Sequence, residues 1–161
     1  PNGAGKTTLV KHILEILEGR KATGLDIRTL YIPQEVDDSS SIEFLSEIKD
    51  LPQAERGALL SIVAQLNSDP ERILSGENIS PGELRKLMLA RGILDAPEII
   101  VMDEPTNHLD LHSVEALERA LSAFPGALVL VSHDEQFLSA SCPLRLDLAP
   151  EEEHTIGQPL L

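Results

Sequence analysis

Apolar residues recur along the chain with two alternating periods. Between Lys6 and Glu18 they fall at helical spacing, which predicts a helix that ends at Gly19. Short apolar runs predict strands at residues 29–32, 99–102 and 127–131, and a further strand is predicted at 144–148. Helical patterns at 113–123 and 134–140 separate the last three. Strands that alternate with helices are typical of an α/β fold with a parallel sheet.

The segment from Asp37 to about Asp95 interrupts this alternation, because its pattern is helical throughout. Residues 54–66 are amphipathic, and Asn67-Ser68-Asp69-Pro70 breaks the run that they form. We expect Ser41 and Asp50 to cap helices in this segment. The pattern thus divides the chain into a first core part (1–36), a helical part (37–95), a second core part (96–149) and a polar tail (150–161).

The first eight residues resemble a phosphate-binding loop. They read Pro1-Asn2-Gly3-Ala4-Gly5-Lys6-Thr7-Thr8, which is the pattern G-x-x-x-x-G-K-[ST] without its first glycine. In such a loop glycines let backbone N–H groups turn toward phosphate oxygens, and the following helix adds its positive dipole end. Lys6 would supply a charge for the β- and γ-phosphates, and the Thr7 hydroxyl can bind Mg²⁺. The alternative is an ordinary glycine-rich turn followed by a threonine that caps the helix.

Two adjacent carboxylates, Asp103 and Glu104, follow the apolar run Ile99-Ile100-Val101. The carboxyl ends of parallel strands open onto the ligand crevice of an α/β sheet, so both side chains are expected there. One carboxylate can bind a Mg²⁺ ion while the next orients an attacking water molecule. The simpler alternative is a solvated pair at the end of a strand.

Charge and composition restrict the class of partner. The 161 residues carry 13 Lys and Arg against 27 Asp and Glu, a net charge of −14, which disfavours a nucleic-acid clamp built from this segment itself. Contact with a nucleic acid would then come from localised patches or from other regions. The single cysteine, Cys142, fits a reducing compartment, and no apolar run approaches the roughly 20 residues that span a bilayer. A cytoplasmic protein is the expectation.

With these motifs, the chain resembles the nucleotide-binding domain of an ABC-type ATPase. Further segments match in the family's order: Tyr31-Ile32-Pro33-Gln34 is similar to the Q-loop, Ile79-Ser80-Pro81-Gly82-Glu83 to the signature loop, Asn107 to Asp110 to the D-loop, and Val131-Ser132-His133-Asp134 to the switch-histidine segment. The sequence of residues 103–110 most resembles that of the ABC-F subfamily, whose members act on ribosomes. The resemblance runs from residue 1 to about 149 and implies a RecA-like P-loop NTPase core with an inserted helical subdomain and its N-terminal strands missing.

The resemblance also implies a role for each matching residue. ATP phosphates would lie on a loop formed by Asn2, Gly3, Ala4, Gly5, Lys6, Thr7 and Thr8. Thr7, Gln34 and Asp103 would hold Mg²⁺. Glu104 would act as the general base, with His133 and Gln34 at the γ-phosphate. The alternatives are that His133 caps the helix that follows it and that Gln34 is an ordinary turn residue.

The family pattern further implies a second nucleotide-binding domain. Ser80, Gly82, Glu83 and Asp110 would contact the nucleotide of that partner domain, so hydrolysis would need two domains face to face. We therefore expect residues 1–161 alone to be a poor ATPase. Pro81 departs from the pattern, because it stands where the family usually has a glycine, fixes φ and removes a backbone donor.

Three functions are compatible with these observations. The leading hypothesis is a soluble ABC-F-like ATPase that acts on ribosomes. The alternative is the ATP-binding subunit of an ABC membrane transporter, in which the helical part would hold a membrane partner. A third hypothesis, a pseudo-ATPase that binds nucleotide as a switch, depends on Pro81.

Overall fold

A computed structural model describes residues 5–22, 24, 26–75 and 79–147 of the chain. In chain order the elements are α1 (Lys6–Ala22), β1 (Thr29–Ile32), α2 (Asp38–Asp50), α3 (Gln53–Gln65), α4 (Pro70–Ser75), α5 (Pro81–Leu94), β2 (Ile99–Asp103), α6 (Leu111–Ser122), β3 (Ala127–Val131) and α7 (Glu135–Ser141). The predicted residues Asn2, Gly3 and Ala4 and the polar tail from 150 onward lie outside the described residues.

The three strands form a parallel sheet in the order β1-β2-β3. Tyr31 of β1 lies opposite Val101 of β2, and Val101 lies opposite Val129 of β3. Because β2 is central and covered on both faces, it is apolar until its last residue, Asp103. Parallel strands end at the same edge of a sheet, so the residues that follow β1, β2 and β3 lie at one edge.

One apolar core joins the sheet to the helices. Helix α3 packs on α5 through residues that include Leu59, Val63 and Leu87, and α6 and α7 contribute Leu117 and Phe137. The described residues between β1 and β2 contain helices and no strand, as the sequence pattern indicates. The division of the chain at residues 36, 95 and 149 remains a prediction.

The strands predicted at 29–32 and 127–131 are confirmed, and the strand predicted at 99–102 is longer by one residue. The predicted caps Ser41 and Asp50 are wrong. Helix α2 begins one residue after Asp37, whose carboxylate accepts a hydrogen bond from the backbone N–H of Ser40 at 2.9 Å. Helix α3 begins after Pro52, which leaves Asp50 as the last residue of the preceding helix. The acidic side chain nearest the free N–H groups of α2 forms the cap.

Two further expectations are wrong. Helix α1 continues through Gly19 to Ala22, since glycine inside a helix costs only about 1 kcal/mol relative to alanine. Residues 144–147 of the predicted last strand are not in a strand, and Leu144 and Leu146 are 88% and 74% exposed. An alternating pattern becomes a strand only when another strand pairs with it, and in the described residues β3 pairs with β2 alone.

Candidate functional site

Three side chains from distant parts of the sequence meet at the carboxyl edge of the sheet. Lys6 at the start of α1 donates from Nζ to Oε1 of Glu104 at 3.3 Å, and its ammonium group also contacts the ring of His133. Nε2 of His133 lies 3.4 Å from Oε1 of Glu104, and the His133 backbone N–H donates to Oε2 of Glu104 at 3.3 Å. The sheet thus brings together a cation, a carboxylate and an imidazole that the sequence separates by up to 127 positions.

Glu104 has an unusual backbone conformation for a residue with a side chain. Its φ is +48°, in the left-handed region that disfavours L-residues, and its side chain is buried. Its N–H donates to the carbonyl oxygen of Val131 at 2.7 Å, so that the hydrogen bonding to β3 continues one residue past β2. Such strain costs on the order of 1–3 kcal/mol and persists where surrounding contacts enforce it, which is common at functional sites.

Asp103 is the last residue of β2 and is 4% exposed. Burial raises the pKa of its carboxyl group and the neighbouring Glu104 raises it further, while the cations of Lys6 and Arg85 lower it, and the net shift is upward. A divalent cation would offset this cost of burying the charge. The described residues contain no cluster of three or more His, Cys, Asp or Glu, whereas Mg²⁺ prefers one or two carboxylates together with other oxygen ligands. The oxygen chemistry of Asp103 fits Mg²⁺, and the roles of Thr7 and Gln34 as further ligands remain predictions.

The start of α1 fits an anion. Gly5 has a φ of +76°, which glycine adopts without strain, and its carbonyl accepts from the Leu9 N–H at 2.9 Å. Thr7 and Thr8 follow in the first turn and are exposed. The free N–H groups and the positive dipole end of a 17-residue helix favour phosphate binding here.

The start of α5 contains the signature-like residues. Ser80 caps the helix by accepting from the Glu83 N–H at 3.2 Å, and the Glu83 carboxylate accepts from the Ser80 N–H at 2.9 Å. This reciprocal pair is a capping box, and Glu83 also forms an ion pair with Arg72 at 3.3 Å. Pro81 occupies the first turn, where a helix does not use the N–H that proline lacks.

Gly82 allows α5 to approach the loop after β2. A Cβ atom at Gly82 would lie 2.7 Å from the carbonyl oxygen of His108 and 2.9 Å from Cδ2 of Leu109, closer than real contacts. His108 itself has a φ of +63° and an exposed side chain. The contact places the signature-like segment directly against the D-loop-like segment.

A buried lysine reinforces the same junction. Nζ of Lys86 donates to the carbonyl oxygens of Leu66 at 3.1 Å and Asn67 at 3.0 Å, and to Oγ of Ser113 at 2.9 Å. The Ser113 hydroxyl in turn donates to Oδ2 of Asp110 at 2.8 Å. Burial lowers the pKa of Lys86 and the Asp110 carboxylate partly offsets that shift. Sequence reasoning missed this network, although a charged residue inside the apolar run of α5 was a usable signal.

The predicted site residues therefore form two groups. Lys6, Glu104 and His133 are in mutual contact, with Asp103 beside them. In the described part of the chain, no hydrogen bond or ion pair joins Ser80, Gly82 or Glu83 to that first group. Asp110 caps α6 by accepting from the Ser113 N–H at 2.9 Å. The roles predicted for these residues toward nucleotide remain predictions.

Comparison with known proteins identifies the family. A family model described as ABC transporter matches residues 1–107. The chain belongs to the ABC transporter family. The predicted resemblance to an ABC-type nucleotide-binding domain is thereby confirmed.

Two relatives connect the family to translation. The ribosome protection protein VmlR of Bacillus subtilis strain 168 is 35% identical over 150 residues, which cover 91% of this chain and 27% of the relative. The energy-dependent translational throttle protein EttA of Escherichia coli O6:H1 is 32% identical over 183 residues, which cover 85% of this chain and 33% of the relative. These relatives bear out the similarity to ABC-F proteins, and the chain spans about a quarter to a third of the length of the curated relatives it matches.

A solved structure confirms the fold. The dimeric structure of a post-hydrolysis state of the ATP-binding cassette MJ0796, bound to ADP and Pi, matches with a TM-score of 0.63 at 18% identity, over 88% of this chain and 75% of that chain. The predicted α/β fold of the P-loop NTPase kind is therefore correct. Among the described residues, no helix is both long and apolar enough to cross a membrane.

Replacing Pro81 with glycine tests the role of the unusual signature residue. We expect Pro81→Gly to lower the free energy of unfolding by about 0.4–1 kcal/mol, because proline at this position restricts the unfolded chain without straining the helix. ATP hydrolysis by the full-length protein should be preserved or raised, since glycine restores a backbone donor. Urea unfolding and steady-state phosphate release measure the two effects. Pro52→Gly, at the start of α3, is the control for a stability change alone, and loss of turnover confined to Pro81→Gly would show that the proline is indispensable.

Proposed function

We propose that this domain binds and hydrolyses ATP as part of a soluble, ABC-F-like protein that acts on the ribosome. The observation that supports hydrolysis most strongly is the contact of Lys6, Glu104 and His133 at 3.3–3.4 Å, beside the buried Asp103 and the start of α1. These groups provide what phosphoryl transfer to water needs: charge neutralisation, a metal-binding oxygen and a base.

In the proposed mechanism Lys6 and the N–H groups at the start of α1 bind the phosphates and neutralise their charge. Mg²⁺, when bound by Asp103, Thr7 and Gln34, supplies further neutralisation of the charge that develops on the phosphate oxygens. Glu104 orients the attacking water and accepts its proton, because its carboxylate is fixed at the edge of the sheet by the His133 N–H. His133 donates a hydrogen bond to the γ-phosphate. Together these residues hold the water and the phosphate in line.

The proposed site is completed by a second nucleotide-binding domain, in the same chain or in a dimer. Ser80, Gly82, Glu83 and Asp110 form the two adjoining segments that would contact the partner's nucleotide. The dimeric state of the matching cassette supports this arrangement. Because Gly82 packs on the backbone of His108, the two segments would move toward a partner as one unit.

The ribosomal role is supported by what the relatives do. One relative is a ribosome protection protein and another throttles translation, and both match over most of this chain. Pro81 is accommodated in the first turn of α5, which does not use its missing N–H, so hydrolysis by Pro81→Gly is the measurement that separates an ATPase from the pseudo-ATPase alternative.

The direct test is the ATPase activity of the full-length protein with and without purified ribosomes. We expect Mg²⁺-dependent phosphate release that ribosomes stimulate several-fold, because closure of the two domains on the partner completes both sites. Membrane vesicles from the same cells are the control. Stimulation by vesicles and not by ribosomes would support the transporter alternative, and absence of hydrolysis under every condition would contradict the proposed enzyme.

A further inference from the structure

A second buried cation of α5 lies directly behind the carboxylate pair. Arg85 is 4% exposed, and its Nη2 donates to the carbonyl oxygen of Asp103 at 2.7 Å and to that of Glu104 at 2.8 Å. Its neighbours Leu84 and Leu87 on the same helix are buried apolar residues. Helix α5 therefore contacts the end of β2 through a charged group as well as through apolar packing.

The two carbonyl groups that Arg85 binds flank a single residue. The Asp103 carbonyl belongs to the peptide plane before the Glu104 Cα, and the Glu104 carbonyl belongs to the plane after it. The relative orientation of those planes defines φ and ψ of Glu104. One nitrogen that binds both carbonyls consequently holds Glu104 in its left-handed conformation, with φ at +48°. The direction of the Glu104 side chain follows from that conformation.

Stability alone does not explain a guanidinium at this position. Nε and Nη1 of Arg85 are buried and have no hydrogen-bond partner in the described part of the chain. Burial lowers the pKa of Arg85, and the charges of Asp103, Glu104 and Tyr31 raise it without cancelling the shift. Buried donors without partners are rare in folded proteins because they are costly, so a residue that retains two of them calls for a reason other than stability.

We propose that Arg85 is a positioning residue for the proposed base Glu104, an inference that rests on the proposed ATPase function. It holds the backbone of Glu104 so that the carboxylate stays beside Lys6 and His133. Arg85 lies five positions after Ser80 on the same helix, so the guanidinium also connects the signature end of α5 to the base. Displacement of that end of the helix would move the carbonyl groups that define the conformation of Glu104.

Arg85→Met, Arg85→Lys and Leu87→Ala in the full-length protein test the proposal. Methionine is similar in size to arginine but cannot form either hydrogen bond, and lysine retains a charged donor. Leu87→Ala is the control, because it truncates a fully buried apolar side chain of the same helix. For each variant, urea unfolding gives the folded fraction, and ATP affinity and single-turnover hydrolysis are measured separately. We expect Arg85→Met to slow hydrolysis about 10- to 100-fold, as misplacement of a catalytic group does, with ATP affinity changed less than about threefold. Arg85→Lys should recover much of the rate, and Leu87→Ala should keep the wild-type rate per folded molecule.

Hydrogen exchange keeps the test decisive if Arg85→Met does not fold. In Arg85→Lys, the backbone amides of Glu104 and Asn107 should exchange faster than in wild type, because a flexible lysine holds the turn after β2 less rigidly than the planar guanidinium does. Leu87→Ala should not show this local change. Equal hydrolysis rates and exchange in the Arg85 variants and Leu87→Ala would overturn the positioning role while wild-type hydrolysis stands. If the wild-type protein does not hydrolyse ATP at all, the proposed function fails instead.

Discussion

Glu104→Gln is expected to leave ATP bound and unhydrolysed. Glutamine keeps the size of the side chain and can still accept the hydrogen bond from the His133 N–H, but it cannot take a proton from water. Loss of a general base lowers rates by roughly 10²–10⁴-fold, so hydrolysis by the full-length protein should fall by that order while ATP affinity changes little. Single-turnover phosphate release and equilibrium binding of a fluorescent ATP analogue measure the two quantities.

Glu115→Gln is the matched control for that variant. It makes the same chemical change on an exposed carboxylate of α6, which lies 3.7 Å from Nδ1 of His112. We expect wild-type hydrolysis from Glu115→Gln. Wild-type hydrolysis from Glu104→Gln would exclude Glu104 as the base and leave Asp103 or His133 as the group that activates water.

Lys6→Ala is expected to fail one step earlier, at ATP binding. A charged hydrogen bond contributes about 1.5–3 kcal/mol, so removing the ammonium group should weaken ATP affinity by roughly 10- to 100-fold. The fold should persist, because the Glu104 carboxylate keeps its contact with the His133 ring and the hydrogen bond from the His133 N–H when the ammonium group is removed. Isothermal titration with ATP and Mg²⁺ measures the affinity, and urea unfolding measures the stability.

Lys11→Ala is the corresponding control on the same helix, because Lys11 is exposed and lies beyond the first turn. Its ATP affinity should match that of the wild type. If Lys6→Ala and Lys11→Ala bind ATP equally well, Lys6 does not contact the phosphates. The contrast between Lys6→Ala, which weakens binding, and Glu104→Gln, which blocks hydrolysis, assigns the two residues to different steps.

The sheet and the edge where the site lies could be predicted from the sequence, because short segments of the chain determine where each strand begins and ends. A run such as Ala127–Val131 is apolar at every position, and an apolar run that stops at Asp103 marks the end of a strand. Parallel pairing then places Glu104 and His133 at one edge. The caps at Ser41 and Asp50 failed because the position of a helix start depends on which of several neighbouring polar side chains reaches the free N–H groups.

The sequence marks Arg85 and Lys86 as charged residues within an apolar segment, but it does not show what they contact. Both are charged residues on one helix, and charged residues usually lie in solvent. Their burial follows from the packing of α5 against β2, α3 and α6, which is a tertiary property. The failure at residues 144–147 has a similar origin, since alternation describes a strand but does not supply the neighbour that pairs with it.

Co-sedimentation of the full-length Glu104→Gln protein with ribosomes tests the proposed function most directly. ATP should bind the variant and close the paired domains, and the closed state should then accumulate on its partner because hydrolysis no longer releases it. We predict that Glu104→Gln pellets with ribosomes in the presence of ATP and Mg²⁺, that it remains soluble without ATP, and that it slows translation of a reporter in a cell-free system. If the variant binds ATP and still does not associate with ribosomes, the proposed ribosomal function is contradicted, and recovery of the same variant with detergent-solubilised membrane protein would support the transporter alternative.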